Sequence, residues 1–270
     1  MRITFLGGGN MADALIGGLL NQGFSPDNIA VIEIDEKTRQ HLSQTLGVCC
    51  FAQPQEEALN CDVLLLAVKP QHMREVCLTV QPLLKQQLII SIAAGLRLTD
   101  LVRWLGNYQR IVRAMPNTPA LIGAGMAGLY AMPDVSDEER LHAERILNAV
   151  GDTLWVNLEE QLDGITAISG SGPAYVFLFI ESLQKAAVNL GFSQEDANLL
   201  VMKTLLGSAR LAEESDDSAE VLRLRVTSKG GTTEAALKLL GERGFQDTVL
   251  AAVEAAFLRS SDLGQFLGRD

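Results

Sequence analysis

Several familiar signals are missing from this 270-residue chain, and each absence removes a class of function. It has four cysteines (Cys49, Cys50, Cys61, Cys77) and three histidines (His41, His72, His142). No two cysteines form a C-x-x-C pair, so a zinc centre is not expected and no metal is assigned. Buried free thiols in a reduced, cytoplasmic compartment are the expectation for all four. Lys and Arg number 22 against 33 Asp and Glu, a net charge of −11, and no basic run appears. Nucleic acid and anionic membrane surfaces are therefore poor partners, because binding phosphate needs clustered cations. No apolar run is long enough to span a bilayer. The first strand pattern starts at residue 2, so no signal peptide is expected. Internal repeats and low-complexity segments are also absent.

Proline is absent in a more telling way. All eight prolines lie at or before Pro173, and the chain beyond is rich in Leu, Ala, Glu and Lys. The change divides the chain into an α/β half, residues 1–157, and an all-helical half, residues 158–270.

In the first half, a strand at Arg2–Leu6 leads into Gly7-Gly8-Gly9-Asn10-Met11-Ala12, which fits G-x-G-x-x-A, and then into an apolar helix. A second strand, Ile29–Glu33, ends in an acid about 20 residues after that turn, the offset of a residue that meets a cofactor ribose. The whole context, more than the glycines alone, predicts dinucleotide binding by a Rossmann-like doubly wound sheet. Further strands are expected at Asp62–Val68, Leu88–Ile92, Arg110–Met115, Gly128–Ala131 and Thr153–Val156, and helices at Glu36–Leu46 and Glu138–Val150. Lys69-Pro70 reads as the start of a loop. The loops Gly7–Ala12, Ala67-Val68-Lys69-Pro70, Ala93-Ala94-Gly95 and Met115–Pro119 fall on one sheet edge, where small or rigid residues let a cofactor approach backbone. Taken singly, each loop also reads as an ordinary turn.

The second half carries Val226-Thr-Ser-Lys-Gly-Gly-Thr-Thr-Glu-Ala-Ala-Leu237. Two glycines and several hydroxyls stand directly before an apolar-periodic helix. Ser228, Gly230, Gly231, Thr232 and Thr233 form either a well-capped helix start or a site for a small anion such as a carboxylate. Tyr175–Ile180 is apolar around its whole circumference and reads as a subunit interface, with the centre of an intramolecular bundle as the alternative. Helices at 193–213, 219–226, 234–240 and 247–263 complete this half. A dinucleotide without zinc, a thiolate motif or a Ser-His-Asp set points to hydride transfer, and a cyclic imine is the acceptor that needs least help from the protein.

The chain resembles the delta-1-pyrroline-5-carboxylate reductase family nearly end to end. The resemblance is carried by Phe5–Ala12, Leu66–Pro70, Ser91–Gly95, Arg113–Pro119, Ser169–Tyr175 and the signature at Val226–Leu240. It implies reduction of 1-pyrroline-5-carboxylate to L-proline, the last step of proline biosynthesis, with NADPH or NADH. It also implies homodimers built through the C-terminal helices, in some members assembled into larger rings. The cofactor would lie along Gly7–Met11 and Ala67–Pro70. The substrate carboxylate would meet Ser228 and the backbone of Gly231, Thr232 and Thr233, with the Thr233 hydroxyl at the ring nitrogen.

The chain departs from the family pattern at Lys229, where Pro is usual, and at Arg225, where some relatives have Asn. Glu33 favours the free ribose of NADH, whereas the resemblance favours NADPH, with Lys37 or Arg39 available to the extra phosphate. A beta-hydroxyacid dehydrogenase is the nearest enzyme alternative, but its Lys and Asn are replaced by Val176 and Ile180. A nucleotide-binding sensor without turnover would have no need of the Ser228–Thr233 pocket.

Overall fold

The computed structural model describes residues 1–268. It consists of two compact units, one comprising Met1–Pro173 and the chain's end from Ala255, the other Ala174–Glu254.

The first unit is built on an eight-stranded sheet. Its elements run β1 (Ile3–Leu6), α1 (Asn10–Asn21), β2 (Ile29–Ile32), α2 (Glu36–Leu46), β3 (Cys49–Phe51), β4 (Val63–Leu66), α3 (Pro70–Val80), β5 (Leu88–Ser91), α4 (Leu98–Trp104), β6 (Ile111–Met115), β7 (Gly125–Ala131), α5 (Asp137–Leu147), β8 (Gly151–Trp155) and α6 (Gln161–Ile165). Strand order is β3-β2-β1-β4-β5-β6-β7-β8. The first six strands are parallel. β7 is antiparallel to β6 and parallel to β8, so the last two run the other way. The reversal follows from the link after β6, a short 3₁₀ segment at Thr118–Ile122, where a parallel continuation would need a full crossover helix. β1, β4 and β5 are buried at every residue, which explains their unbroken Val, Leu and Ile runs. One apolar cluster packs α1 and α5 against the sheet through Leu15, Ile16, Leu19 and Ile146, and another packs α3 and α4 through Met73, Cys77, Leu101 and Trp104.

Local chemistry starts the helices. Asp35 accepts from the Thr38 N–H at 2.8 Å and caps α2, and these hydrogen bonds from Thr38 hold the Asp35 carboxyl below its usual pKa. Ser136 and Glu139 form a capping box on α5. Burial alone would raise the pKa of Glu139, but bonds from the Ser136 N–H and hydroxyl and from Arg110 together hold it low. Two sequence expectations are corrected, and two short elements go unread in the sequence. Lys69-Pro70 opens a helix: Pro70 takes the first position of α3, where its missing N–H costs nothing. The short α4 and the three-residue β3 carry too little periodicity to be read. Of the cysteines only Cys77 is buried, its thiol pushed up to about 12 by desolvation; Cys50 and Cys61 are half-buried and Cys49 is exposed. Cys49 lies on β3 at the edge of the sheet, where alternate side chains face solvent.

The second unit contains α7 (Gly172–Asn189) from Ala174 onward, α8 (Gln194–Glu213), α9 (Ala219–Arg225), α10 (Thr232–Glu242) and the start of α11 (Phe245–Leu267). None of α7 is buried: Phe177 and Leu178 are 64% exposed and Phe179 is 40% exposed. Phe179 lies beside Phe245 in a tilted ring pair, with centroids 6.4 Å apart. A helix this apolar and this uncovered does not serve as the centre of a bundle within the chain. No helix among the described residues is long and apolar enough to cross a membrane.

Candidate functional site

Because β1, β4, β5 and β6 are parallel, the loops that follow them share one edge of the sheet. Backbone hydrogen bonds tie their starts together. Gly7 N–H donates to Ile32 O at 2.8 Å, Ala67 N–H to Leu6 O at 2.8 Å and Ile92 N–H to Leu66 O at 3.2 Å. Gly7 has φ +102°, and a Cβ there would lie 2.7 Å from the Ala67 carbonyl oxygen, so glycine is required twice over. Gly9 is the N-cap of α1 and no side chain caps that helix. The first-turn N–H groups of Asn10, Met11 and Ala12 therefore have no intrahelical acceptor and suit a phosphate. A Cβ on Gly9 would meet open space, so the approach to this turn is clear.

Glu33 sits beside the same turn. Its carboxylate accepts from Gly8 N–H at 2.8 Å through one oxygen and from Asp35 N–H at 2.8 Å through the other. Two backbone donors thus hold it in place with lone pairs to spare, the arrangement that accepts ribose hydroxyls. A hollow of about 330 Å³ next to it is lined by Gly8, Gly9, Asn10, Lys37, Thr38 and His41, among others. Arg39 does not line this hollow. It donates to the carbonyls of Glu33 at 2.7 Å and Ile34 at 2.8 Å, which leaves Lys37 as the cation lining the hollow.

At Ala67–Pro70, Val68 packs beside Gly7 while Lys69 is exposed at the N-cap of α3. At Ala93-Ala94-Gly95, Ala93 is buried and Ala94 exposed, and Gly95 adopts φ +78°. In the loop after β6, Asn117 uses its whole side chain. Its amide donates to Ser169 Oγ at 3.0 Å and Ser169 O at 3.2 Å, and its Oδ1 accepts from Met126 N–H at 2.9 Å. This clamp holds a π-helical turn at Thr166–Gly170, a feature that composition alone does not announce.

In the second unit the glycine pair makes a tight turn. Gly231 N–H donates to Ser228 O at 3.0 Å, and Gly230 takes φ +75°. A Cβ on Gly231 would come within 2.6 Å of the Ser228 hydroxyl oxygen. The expected hydroxyl cap is not what starts α10. Gly231 occupies the N-cap position and no side chain caps there; instead Glu234 reaches back and accepts from Gly230 N–H at 2.7 Å. Ser228 and Thr232 are exposed and Thr233 is half-buried, all at the positive end of α10. Of the two departures from the usual signature, Lys229 is exposed and Arg225 is paired with Asp217.

Comparison with known proteins finds relatives for both halves of the chain. Residues 159–263 match the family model for pyrroline-5-carboxylate reductase dimerisation, and residues 2–95 match that for NADP oxidoreductases, coenzyme F420-dependent. A pyrroline-5-carboxylate reductase from Pseudomonas aeruginosa is 44% identical over 99% of this chain and 98% of its own. One from Haemophilus influenzae is 43% identical over 97% of both. The solved pyrroline-5-carboxylate reductase of Coxiella burnetii superposes with a TM-score of 0.92 at 42% identity, covering 97% of this chain and 98% of that one. The Plasmodium falciparum enzyme, solved with NADP bound, gives 0.88 at 34% identity with 98% of each chain covered. With relatives this similar along their full length, the chain belongs to the pyrroline-5-carboxylate reductase family.

Proposed function

We propose that this chain reduces 1-pyrroline-5-carboxylate to L-proline, with NADPH as cofactor and NADH as a usable second. The observation that carries the proposal is the pairing, in a chain of this family, of a glycine turn shaped for a dinucleotide with a second glycine turn shaped for a carboxylate. The cofactor residues are Gly7 to Ala12, Glu33, Ala67 to Pro70 and Ala93 to Gly95. Gly7, whose missing side chain leaves room only for backbone, and the uncapped start of α1 suit the pyrophosphate. When bound, the dihydronicotinamide supplies the hydride.

Ser228, Gly230, Gly231, Thr232 and Thr233 bind the imine. The substrate carboxylate accepts from the Ser228 hydroxyl and from first-turn N–H groups of α10, where the helix dipole favours an anion. With the carboxylate held, the Thr233 hydroxyl reaches the ring nitrogen. The protonated C=N of the substrate has no free lone pair on nitrogen, and the product amine has one. A hydroxyl that donates to that lone pair strengthens its bond as the reaction proceeds and so favours the transition state over the bound imine. The substrate already carries its proton, so no buried general acid is required.

Residues 1–157 serve the cofactor, and residues 158–270 serve the substrate and the dimer. The uncovered apolar helix α7 and the match to a dimerisation family support a homodimer; a larger ring built from such dimers is what the family resemblance adds. The acidic surface and the exposed Cys49 suit the cytoplasm. Initial rates with pyrroline-5-carboxylate, each cofactor in turn and proline as the measured product, test the reading. A folded sample that consumes neither cofactor overturns it.

A further inference from the structure

The first unit contains a buried charge network that the proposed chemistry does not use. Asp163, 2% exposed, accepts from Arg97 Nη2 at 2.5 Å through one oxygen and from the Ser260 hydroxyl at 2.8 Å through the other. Arg113, also 2% exposed, donates to Glu159 at 2.8 Å and lies 4.0 Å from Asp163. The same Glu159 oxygen accepts from the Leu98 N–H at 2.8 Å. Two arginines and two carboxylates thus pair with one another, Arg113 and Asp163 out of solvent and Arg97 and Glu159 at its partly exposed margin. Such a cluster contributes little net stability compared with an apolar replacement, yet losing one member is costly. What it provides is fixed geometry.

That geometry is centred on the loop Ala93–Gly95. Gly95 and Gly264 meet backbone to backbone: a Cβ on Gly264 would lie 2.8 Å from the Gly95 carbonyl oxygen, and one on Gly95 would lie 3.3 Å from Leu263 Cβ. Arg97 follows the loop by two residues and Ser260 precedes Gly264 by one helical turn. Both donate to the same carboxylate, one to each of its oxygens. The loop extends β5, which lies beyond β4 from β1, while the acid that suits the adenosine ribose follows β2 on the other side of β1. A dinucleotide centred on the β1 turn therefore directs its nicotinamide toward β5.

We propose that Asp163 is a positioning residue for the nicotinamide half of the cofactor, acting through Arg97 and Ser260 to hold the Ala93–Gly95 loop in place. The inference rests on the reading of that loop as a cofactor contact. Asp163→Asn keeps the shape but turns an NH₂ group toward a donor, so Arg97 or Ser260 loses its acceptor. The loop then shifts, while the Gly7–Ala12 turn and Glu33 keep their own hydrogen bonds.

Calorimetric titration of the full-length protein with NADPH, and separately with 2′-phospho-ADP-ribose, which lacks the nicotinamide, tests this. Asp163→Asn is expected to weaken NADPH binding roughly three- to thirty-fold, the range for changes transmitted through a packed network, and to leave the fragment within about twofold of wild type. Ser260→Ala removes a single hydrogen bond, and it should shift NADPH in the same direction by less, which covers the case in which the Asn variant does not fold. Equal weakening of both ligands, or unchanged NADPH binding with only a lower melting temperature, overturns the proposal and leaves the network a structural one. Ala94→Asp, a charge on the exposed crest of the loop, separates the two layers of argument. If it binds NADPH like wild type, the loop is not a cofactor contact, and the underlying reading fails together with this inference.

Discussion

Replacing Thr233 by Val removes one hydroxyl while keeping the β-branched shape. The structure narrows what that hydroxyl can be doing. No side chain caps α10, whose start is secured by Gly231 at the N-cap and by Glu234 bonding back to Gly230. The loss of about 1 kcal/mol that follows removal of a capping hydroxyl is therefore not expected, and the melting temperature should hold. On the proposed role, the catalytic loss is that of one hydrogen bond to a nitrogen whose charge changes during reaction. Bonds of that kind contribute about 1.5–3 kcal/mol, which corresponds to a roughly 10- to 150-fold fall in kcat. The Gly7 turn and Glu33 lie in the other unit, so the KM for NADPH should stay within about twofold. The assay is steady-state cofactor oxidation at saturating pyrroline-5-carboxylate, with a melting curve on the same sample. A variant with normal kcat, or one whose only change is a lower melting temperature, refutes the assignment of Thr233 to the ring nitrogen.

Four further outcomes are expected. Glu33→Ser should raise the ratio of NADPH to NADH use by roughly fivefold or more, since it removes a like charge from the 2′-phosphate, an effect of order 1 kcal/mol; an unchanged ratio of kcat/KM values means that Glu33 does not face the ribose. Gly7→Ala should lose about 1–2 kcal/mol of stability from the positive φ alone, before the clash with Ala67 O is counted, together with cofactor binding; calorimetry and a melting curve read both. Replacing Phe177 and Phe179 together by Asp should convert the proposed dimer to monomer or to insoluble protein, because charges buried in an apolar interface are left unpaired, and a soluble dimer of wild-type size by light scattering contradicts the proposed interface. Glu139 has its folded pKa held below the unfolded value, so its contribution to stability is present above that unfolded value of 4.5 and is lost as pH falls through the lower folded one. Glu139→Gln should accordingly flatten the acid side of the stability profile measured by urea denaturation.

Much of this molecule is legible from local chemistry. The order strand, glycine turn, helix and acidic strand end at residues 2 to 33 marks a dinucleotide-type turn, because glycine adopts the positive φ of Gly7 without strain. The all-apolar runs at Val63–Leu66 and Leu88–Ser91 report burial on both faces, and the glycine pair before α10 marks a tight turn at a helix start. These features depend on neighbours in the chain, so the sequence alone determines them. Other features depend on partners far away along the chain, and only the tertiary structure decides them. The seat of Glu33 requires Gly8, 25 residues earlier in the chain. The reversal of β7 follows from a short link that composition does not distinguish from a loop before a crossover. Asp163 gathers donors from residues 97 and 260, and Asn117 gathers Met126 and Ser169, by contacts whose residues share no local pattern. Periodicity and turn chemistry record the conformation of a segment, whereas the convergence of distant side chains is settled by how the segments pack.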